Sequence, residues 1–144
     1  MEQEDRETGR FEDGSDEVIG ACIEVHRHLG PGLLESTYEV CLAHELSLRG
    51  LRCERQRPLP VNYKGVRLDC GYRIDLVVAD TFLVELKAVE RLTPVHEAQA
   101  LTYLKLTGLP VALLVNFNVT TLKHGLRRLT RKSNLPFLSS CLPV

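Results

Sequence analysis

The sequence predicts an α/β domain with a mixed central β-sheet flanked by helices. Two neighbouring segments, 72–78 and 82–88, alternate apolar and polar residues as half-buried strands do. A helical segment, 94–107, follows and leads into the apolar run 111–116, which is typical of a strand covered on both faces. A hairpin, a crossover helix and returning strands therefore make up the sheet region.

Two helices are expected ahead of the sheet. Ser15 is a candidate N-cap for a helix through Leu29, because Val18, Cys22 and Val25 recur at helical spacing. The Gly-Pro-Gly break at 30–32 ends this helix. A second helix is predicted from about residue 33 to 49, with Gly50 suited to its C′ position and Glu35 in its first turn.

The remaining elements follow from turn and cap signals. Segments 51–57 and 59–70 are predicted strands, and the second bends at Lys64-Gly65, which is a turn signal. Thr93 is expected to cap the crossover helix, which begins at Pro94 and ends at Gly108. Segment 122–129 is ambiguous between strand and helix, and we assign it as a strand.

The hairpin brings two acidic residues together. Its two apolar faces must lie on the same side of the sheet, so paired residue numbers must have an even sum. A three-residue loop, 79–81, meets this condition and places Asp75 opposite Glu85. Opposed side chains have Cβ atoms ~4.5–5.5 Å apart, where like charges are destabilising unless compensated. A divalent cation would compensate them, and hard oxygen ligands suit Mg²⁺ or Mn²⁺ better than Zn²⁺. Lys87 projects from the same face and could hold a metal-activated water or stabilise developing anionic charge.

Structural roles for these residues stay open at this point. Glu85 and Lys87 could form an ion pair along one strand, and Asp75 could be held by Arg73. Exposed pairs of this kind contribute only ~0–1 kcal/mol, so they explain little about why both acids face each other. Glu35 could serve only the helix dipole, which favours a carboxylate in the first turn by ~0.3–1 kcal/mol.

At these positions the chain resembles the PD-(D/E)XK nuclease superfamily, whose core hairpin carries an Asp and then Glu-X-Lys or Asp-X-Lys. Here those residues are Asp75 and Glu85-Leu86-Lys87. Within the superfamily the chain looks similar to the small bacterial GxxExxY proteins, since GLLESTY at 32–38 reproduces that motif. Four blocks, at 26–39, 71–90, 96–108 and 116–129, are similar to family blocks in the same order, so the resemblance covers roughly residues 15 to 131. No Pro precedes Asp75, where the superfamily name has one.

The resemblance implies a restriction-endonuclease-like core and Mg²⁺-dependent hydrolysis of phosphodiester bonds. Asp75, Glu85 and the Leu86 carbonyl would bind the metal, with Mn²⁺ as the second candidate. Lys87 would orient the attacking water. Because a fold can keep its motif and change its task, the motif alone does not establish catalysis.

Three further site residues come from the same resemblance. Glu35 occupies the position from which an acid of the first helix often joins the superfamily's site. RecB-like members also carry Gln-X3-Tyr on the helix after the hairpin, and Gln99 and Tyr103 match it on one helix face. His96, one turn earlier, is either a contact near the site or a surface helix residue.

Composition favours one globular domain in a reducing compartment. A chain of 144 residues with 44% apolar content is large enough for a single core. We expect residues 15–132 to form this domain, between a disordered acidic tail at 1–14 and a loosely ordered C-terminal tail at 133–144. Five cysteines without a paired motif are expected to be reduced thiols. No apolar run approaches the ~18 residues of a membrane span, and no leader is evident, so we expect a cytoplasmic location.

Charge is distributed unevenly along the chain. Residues 1–17 carry eight acids, whereas residues 98–144 contain none, although the net charge is only −1. Basic side chains next to a carboxylate site would supply the affinity for a phosphate backbone that the acids themselves oppose. The expected nucleic-acid contacts are Lys105, Lys123, Arg127 and Arg128. The alternative for each is a solvated surface charge.

Two functions from different classes fit the sequence. The first is a Mg²⁺-dependent nuclease that acts on nucleic acid, with DNA as the expected substrate. The second is a non-catalytic nucleic-acid-binding or protein-interaction module that retains the fold. The chain has no obvious sequence-reading appendage, so specificity would come from loops, a partner or a homodimer.

Overall fold

The structure is a computed structural model that describes residues 13–131. Residues 1–12 of the predicted N-terminal tail and all of the predicted C-terminal tail, 133–144, lie outside the described residues. Residue 132, the last of the predicted domain, lies outside them as well. The helices are α1 (Ser15–Leu29), α2 (Glu35–Leu48) and α3 (Pro94–Thr107). The strands are β1 (Cys53–Pro58), β2 (Val61–Tyr63), β3 (Val66–Leu68), β4 (Arg73–Val78), β5 (Phe82–Lys87), β6 (Val111–Asn116) and β7 (Leu126–Thr130).

The central sheet is mixed, as predicted. Its strand order is β1-β4-β5-β6-β7, and only the β5–β6 pair is parallel. The helix α3 makes that crossover, because parallel neighbours need a long connection while antiparallel ones need only a turn. β2 and β3 lie between β1 and β4 in the chain and form a separate two-stranded hairpin. The α/β class and the restriction-endonuclease-like arrangement are confirmed.

Two apolar clusters lie between the helices and the sheet. The first joins α1 and α2 to β4, β5 and β6, through residues such as Val18, Leu42 and Val84. The second joins α3 to other side chains of the same strands; it includes Leu104 of α3, Leu83 of β5 and Ala112 of β6. All six residues of β6 are buried, as expected for a strand with helices on both faces.

The predicted helix ends are largely confirmed. Thr93 caps α3, because its side chain accepts from the His96 N–H while His96 Nδ1 accepts from the Thr93 N–H. His96 is thereby a capping residue. Gly50 follows α2 with a φ of +77°, as a C′ glycine should. Ser15 is not the N-cap of α1, since it is already helical and donates to Asp13.

Two strand predictions need correction. Segment 122–129 begins as a 3-10 turn, Leu122–Gly125, and only then continues as β7. The alternation predicted for 72–78 would place Ile74 on the same face as Leu76, but Ile74 packs in the second cluster while Leu76 packs in the first. The strict alternation fails because the backbone is distorted opposite this point, at Gln56 of β1, which has a φ of +53°. A left-handed conformation costs a non-glycine residue ~1–2 kcal/mol.

Candidate active site

The predicted register of the central hairpin is confirmed. Val78 pairs with Phe82 and Leu76 with Val84, so Asp75 and Glu85 come next in the same register. The regular ladder stops before them, and side chains take over its hydrogen bonds. Glu85 Oε2 accepts from the Asp75 N–H at 3.3 Å, and Asp75 Oδ2 accepts from the Leu86 N–H at 2.8 Å. The end of the hairpin thus holds both carboxylates against backbone donors.

The electrostatics of this pair are unfavourable without a cation. Glu85 is only 5% exposed, and burial followed by the charge of Asp75 raises its pKa to about 8. Burial also raises the pKa of Asp75, and the carboxylates of Glu39 and Glu35 add to this shift. Within residues 13–131 no salt bridge reaches either member of the pair. Arg73 pairs with Asp69 at 3.7 Å, so the alternative in which it holds Asp75 is wrong.

The donor set at the hairpin end fits a hard divalent cation. A cation of this kind would stabilise two carboxylates that repel each other and that no salt bridge within residues 13–131 reaches. No group of three or more His, Cys, Asp or Glu side chains in the described part of the chain is arranged to hold a metal. A cation here would therefore depend on Asp75 and Glu85, together with backbone oxygen and water.

Lys87, Gln99 and Tyr103 form a connected set beside this pair. Lys87 Nζ donates to Gln99 Oε1 at 3.4 Å, and Gln99 Nε2 donates to the Tyr103 hydroxyl at 3.3 Å. The amide of Gln99 thus accepts from the lysine and donates to the tyrosine. Burial, with smaller effects from the charges of Glu85 and Tyr72, raises the pKa of Tyr103, so the phenol keeps its proton. The ammonium of Lys87 is held in place without being neutralised.

Glu35 reaches the hairpin from α2. Its Oε2 accepts from the Ala88 N–H at 3.2 Å, one residue beyond β5. The turn before α2 is fixed by Tyr38, whose hydroxyl donates to the Gly30 carbonyl at 2.5 Å and accepts from the Leu33 N–H at 3.2 Å. Tyr38 also stacks on Phe117 at 4.4 Å between ring centroids. The tyrosine of GLLESTY therefore fixes the turn from which the glutamate of the same motif reaches the hairpin.

Glu39, Arg55 and Gln56 were missed by the sequence analysis. Glu39 is 6% exposed and accepts from Arg55 Nε at 3.0 Å and from Gln56 Nε2 at 2.9 Å. Gln56 Nε2 also lies 3.4 Å from Asp75 Oδ1. The signal available for Glu39 was its position four residues after Glu35, on the same helix face. Nothing in the sequence marks the left-handed backbone of Gln56.

The four basic residues expected to contact nucleic acid lie on three different elements. Lys105 is on α3 and Lys123 is in the 3-10 turn. Arg127 and Arg128 are on β7, an edge strand that β6 separates from β5. Arg127 pairs with Glu97 at 3.4 Å, while Arg128 contacts Asp13 and the Ser15 hydroxyl. The two arginines thus have partners within the fold, and their contact with nucleic acid stays a prediction.

Three comparisons with known proteins complete the description. A scan against protein families matched residues 12–129 to the PD-(D/E)XK nuclease superfamily. Searches of curated proteins and of solved structures gave no match. None of the helices within residues 13–131 is long and apolar enough to cross a membrane. With the family match spanning most of its length, and with Asp75, Glu85 and Lys87 at the end of the central hairpin, the chain belongs to the PD-(D/E)XK nuclease superfamily.

Proposed function

We propose that this protein is a Mg²⁺-dependent nuclease that hydrolyses phosphodiester bonds of DNA, and that Mn²⁺ can replace Mg²⁺. The observation that carries the proposal is the Asp75–Glu85 pair beside the Lys87 side chain: Glu85 is buried, and no salt bridge within residues 13–131 reaches either carboxylate. Members of the superfamily usually use divalent metals. A cation at this pair would offset its repulsion, which gives the fold a physical reason to bind one.

Each site residue has a role in this proposal. Asp75, Glu85 and the Leu86 carbonyl would hold the cation, which lowers the pKa of bound water and offsets charge on the phosphate. Lys87 donates a hydrogen bond toward the attacking water, and Gln99 keeps its ammonium in place. Tyr103 in turn orients the Gln99 amide.

Glu35 extends the acidic site from α2. The Ala88 N–H holds Oε2 of its carboxylate, so Oε1 would remain to accept a hydrogen bond from water at the site. Because GLLESTY both begins α2 and places this carboxylate, we assign the chain to the GxxExxY proteins within the superfamily. In this proposal the GxxExxY motif serves to bring the Glu35 carboxylate to the metal site.

The substrate would be held by basic groups outside the carboxylate site. Lys105 and Lys123 have no salt bridge within the described residues, so both are available to phosphate groups; Arg127 and Arg128 would have to exchange their partners. A homodimer would supply a second set of these groups. The four described cysteines are free, in keeping with the reducing cytoplasm that we propose as its location.

Cleavage assays test this function directly. Wild type, Asp75→Asn and Lys87→Ala would be incubated with linear, branched and single-stranded DNA in Mg²⁺, Mn²⁺ or chelator. Lys64→Ala is the matched control, since Lys64 lies in the β2–β3 turn. We expect cleavage by wild type and the control in either metal, and none by the two site variants. DNA binding without cleavage in any metal would instead support the binding-module alternative.

A further inference from the structure

Gln56 has a backbone conformation that its strand does not require. Four non-glycine residues among those described have a positive φ: Gln56, Lys64, Ala79 and Asp80. The last three lie in hairpin turns, where a positive φ matches the twist of the strands. Gln56 lies inside β1, where regular pairing would give an extended backbone. Such outliers persist where the surrounding structure holds them, and they are frequent at functional sites.

The outlier lies directly opposite the candidate metal ligand. β1 pairs with β4 through Arg55 with Leu76 and Arg57 with Ile74, so Gln56 faces Asp75 in the same register. This pair is missing from the ladder. The side-chain amide makes the connection instead, because Gln56 Nε2 donates to Asp75 Oδ1 at 3.4 Å.

Glu39 anchors the amide from the other side. Its Oε1 accepts the second hydrogen of Gln56 Nε2 at 2.9 Å, so both hydrogens of the amide are used. Arg55 pairs with Oε2 of the same carboxylate at 3.0 Å. Glu39 is therefore charge-compensated and fixed, and it can hold Gln56 without itself requiring a cation.

The amide is also suited to the site because it is neutral. Asp75 Oδ2 is held by the Leu86 N–H, and Gln56 holds Oδ1, so the carboxylate is oriented from two sides. Neither donor carries a charge. A lysine or arginine in the place of Gln56 would fix the carboxylate equally well but would compete with a divalent cation for it.

We propose that Gln56 is a positioning residue of the candidate metal site: anchored on Glu39, its amide orients Asp75 for a divalent cation without neutralising it. The inference rests on the proposed function, since it requires that Asp75 bind metal. Groups that orient metal ligands typically change metal affinity ~10–100-fold when they are removed.

Two substitutions separate positioning from folding. Gln56→Gly keeps the left-handed backbone and removes the amide. Gln56→Lys keeps a donor of similar length but adds a charge, and Lys64 shows that lysine adopts this φ in the same chain. Ala79→Gly is the matched control, because it changes a residue of φ +54° in the β4–β5 turn. Melting temperature in chelator and the Kd for Mg²⁺ and Mn²⁺, by calorimetry, would be measured for all four proteins.

The expected results differ for each variant. Gln56→Gly should stay folded in chelator and bind either metal at least ~10-fold more weakly, with kcat largely recovered at saturating metal. Gln56→Lys should lose metal binding while melting in chelator at or above wild type, because its ammonium lies between Glu39 and Asp75. Ala79→Gly should bind metal like wild type.

The outcomes also distinguish this inference from the proposed function. A Kd within twofold of wild type for Gln56→Gly or for Gln56→Lys would overturn the role of Gln56 and leave the nuclease proposal standing. If Gln56→Gly does not fold, Gln56→Lys decides alone by the same criterion. A wild type without saturable metal binding would overturn both.

Discussion

The Glu85 carboxylate accepts a hydrogen bond from the Asp75 N–H at 3.3 Å, at the point where the β4–β5 ladder ends. Two acids on paired strands would normally repel each other into solvent, yet Glu85 is almost completely buried. The fold therefore maintains an arrangement that costs stability unless a proton or a cation relieves it. The pH and metal dependence of the protein should follow from this relationship.

Metal-free protein should lose stability as the pH rises from the ordinary pKa of Glu85 to its raised pKa in the fold. Its pKa is about 8 in the fold against an ordinary value of 4.5, so the unfolded chain releases this proton first. The loss begins above pH 4.5, is complete above pH 8, and amounts to at most ~4–5 kcal/mol. Glu85→Gln should remove it, so in chelator the variant should melt above wild type at pH 8 and near it at pH 4.5. If the melting temperatures of wild type and Glu85→Gln changed in parallel between pH 4.5 and pH 8, Glu85 would not be the group responsible for the loss.

Lys87 should affect turnover more than Gln99 does. Lys87→Ala removes the ammonium beside the carboxylate pair and should lower kcat by ~10²-fold or more, as the loss of a positioned hydrogen-bond donor does at other active sites. Gln99→Ala leaves the ammonium but frees it, so a loss of ~10-fold is expected. Single-turnover cleavage at saturating metal measures both, with Lys64→Ala as the control. Equal losses for the two variants would show that Gln99 does more than hold Lys87.

Tyr38→Phe should loosen the turn that places Glu35. The phenylalanine keeps the stacking on Phe117 but loses the hydrogen bonds to the Gly30 carbonyl and the Leu33 N–H. Each of these two hydrogen bonds contributes ~1 kcal/mol, so their loss should lower the melting temperature by ~4–10 °C for a chain of this size. Thermal unfolding checks the loss. An unchanged melting temperature would show that the hydroxyl is dispensable to the turn.

Gly125→Ala should be strongly destabilising because of a close approach between chain segments. An added Cβ would lie 2.3 Å from the Asn116 carbonyl oxygen, so the 3-10 turn would have to move off β6. We expect a loss of ~1–3 kcal/mol in the free energy of unfolding. Gly20→Ala, inside α1, is the control, since its Cβ meets only the end of the Arg49 side chain at 3.0 Å. Helix propensity should keep that variant within ~1 kcal/mol of wild type, and chemical denaturation measures both.

Lys105 and Lys123 should contribute to DNA affinity without affecting the chemical step. Each is expected to neutralise about one phosphate, so Lys105→Ala or Lys123→Ala should weaken binding for all sequences and reduce the salt slope by about 1. Arg127→Ala should have a smaller effect, because its partner Glu97 already offsets its charge. Binding measured over a range of salt concentrations checks this. A lysine variant with an unchanged slope would remove that residue from the interface.

The parts of the site that depend on periodicity could be predicted from the sequence. The even-sum rule placed Asp75 opposite Glu85 because the side-chain period of a strand is two, and the structure has that register. The cap at Thr93 and the fully buried β6 also follow from local patterns. These features depend on neighbouring residues, which a single sequence displays.

The parts that depend on tertiary contacts could not be predicted. Gln56 adopts its left-handed backbone because Glu39 and Asp75, from two other elements, hold its amide. The 3-10 turn before β7 packs so closely on β6 that a glycine is needed at position 125. Arg128 contacts Asp13, which is 115 residues away in the chain, and nothing in the sequence around either residue indicates this pair. Contacts between residues so far apart in the sequence leave no local pattern from which they could be predicted.

The proposed mechanism depends on a divalent-metal site at Asp75 and Glu85. Calorimetric titration of Mg²⁺ and Mn²⁺ into metal-stripped wild type and Glu85→Gln, at pH 8, measures whether this site exists. We expect saturable binding by wild type, accompanied by a rise in melting temperature, and the loss of both in the variant. Binding of equal affinity in the two proteins, or none in wild type, would contradict it.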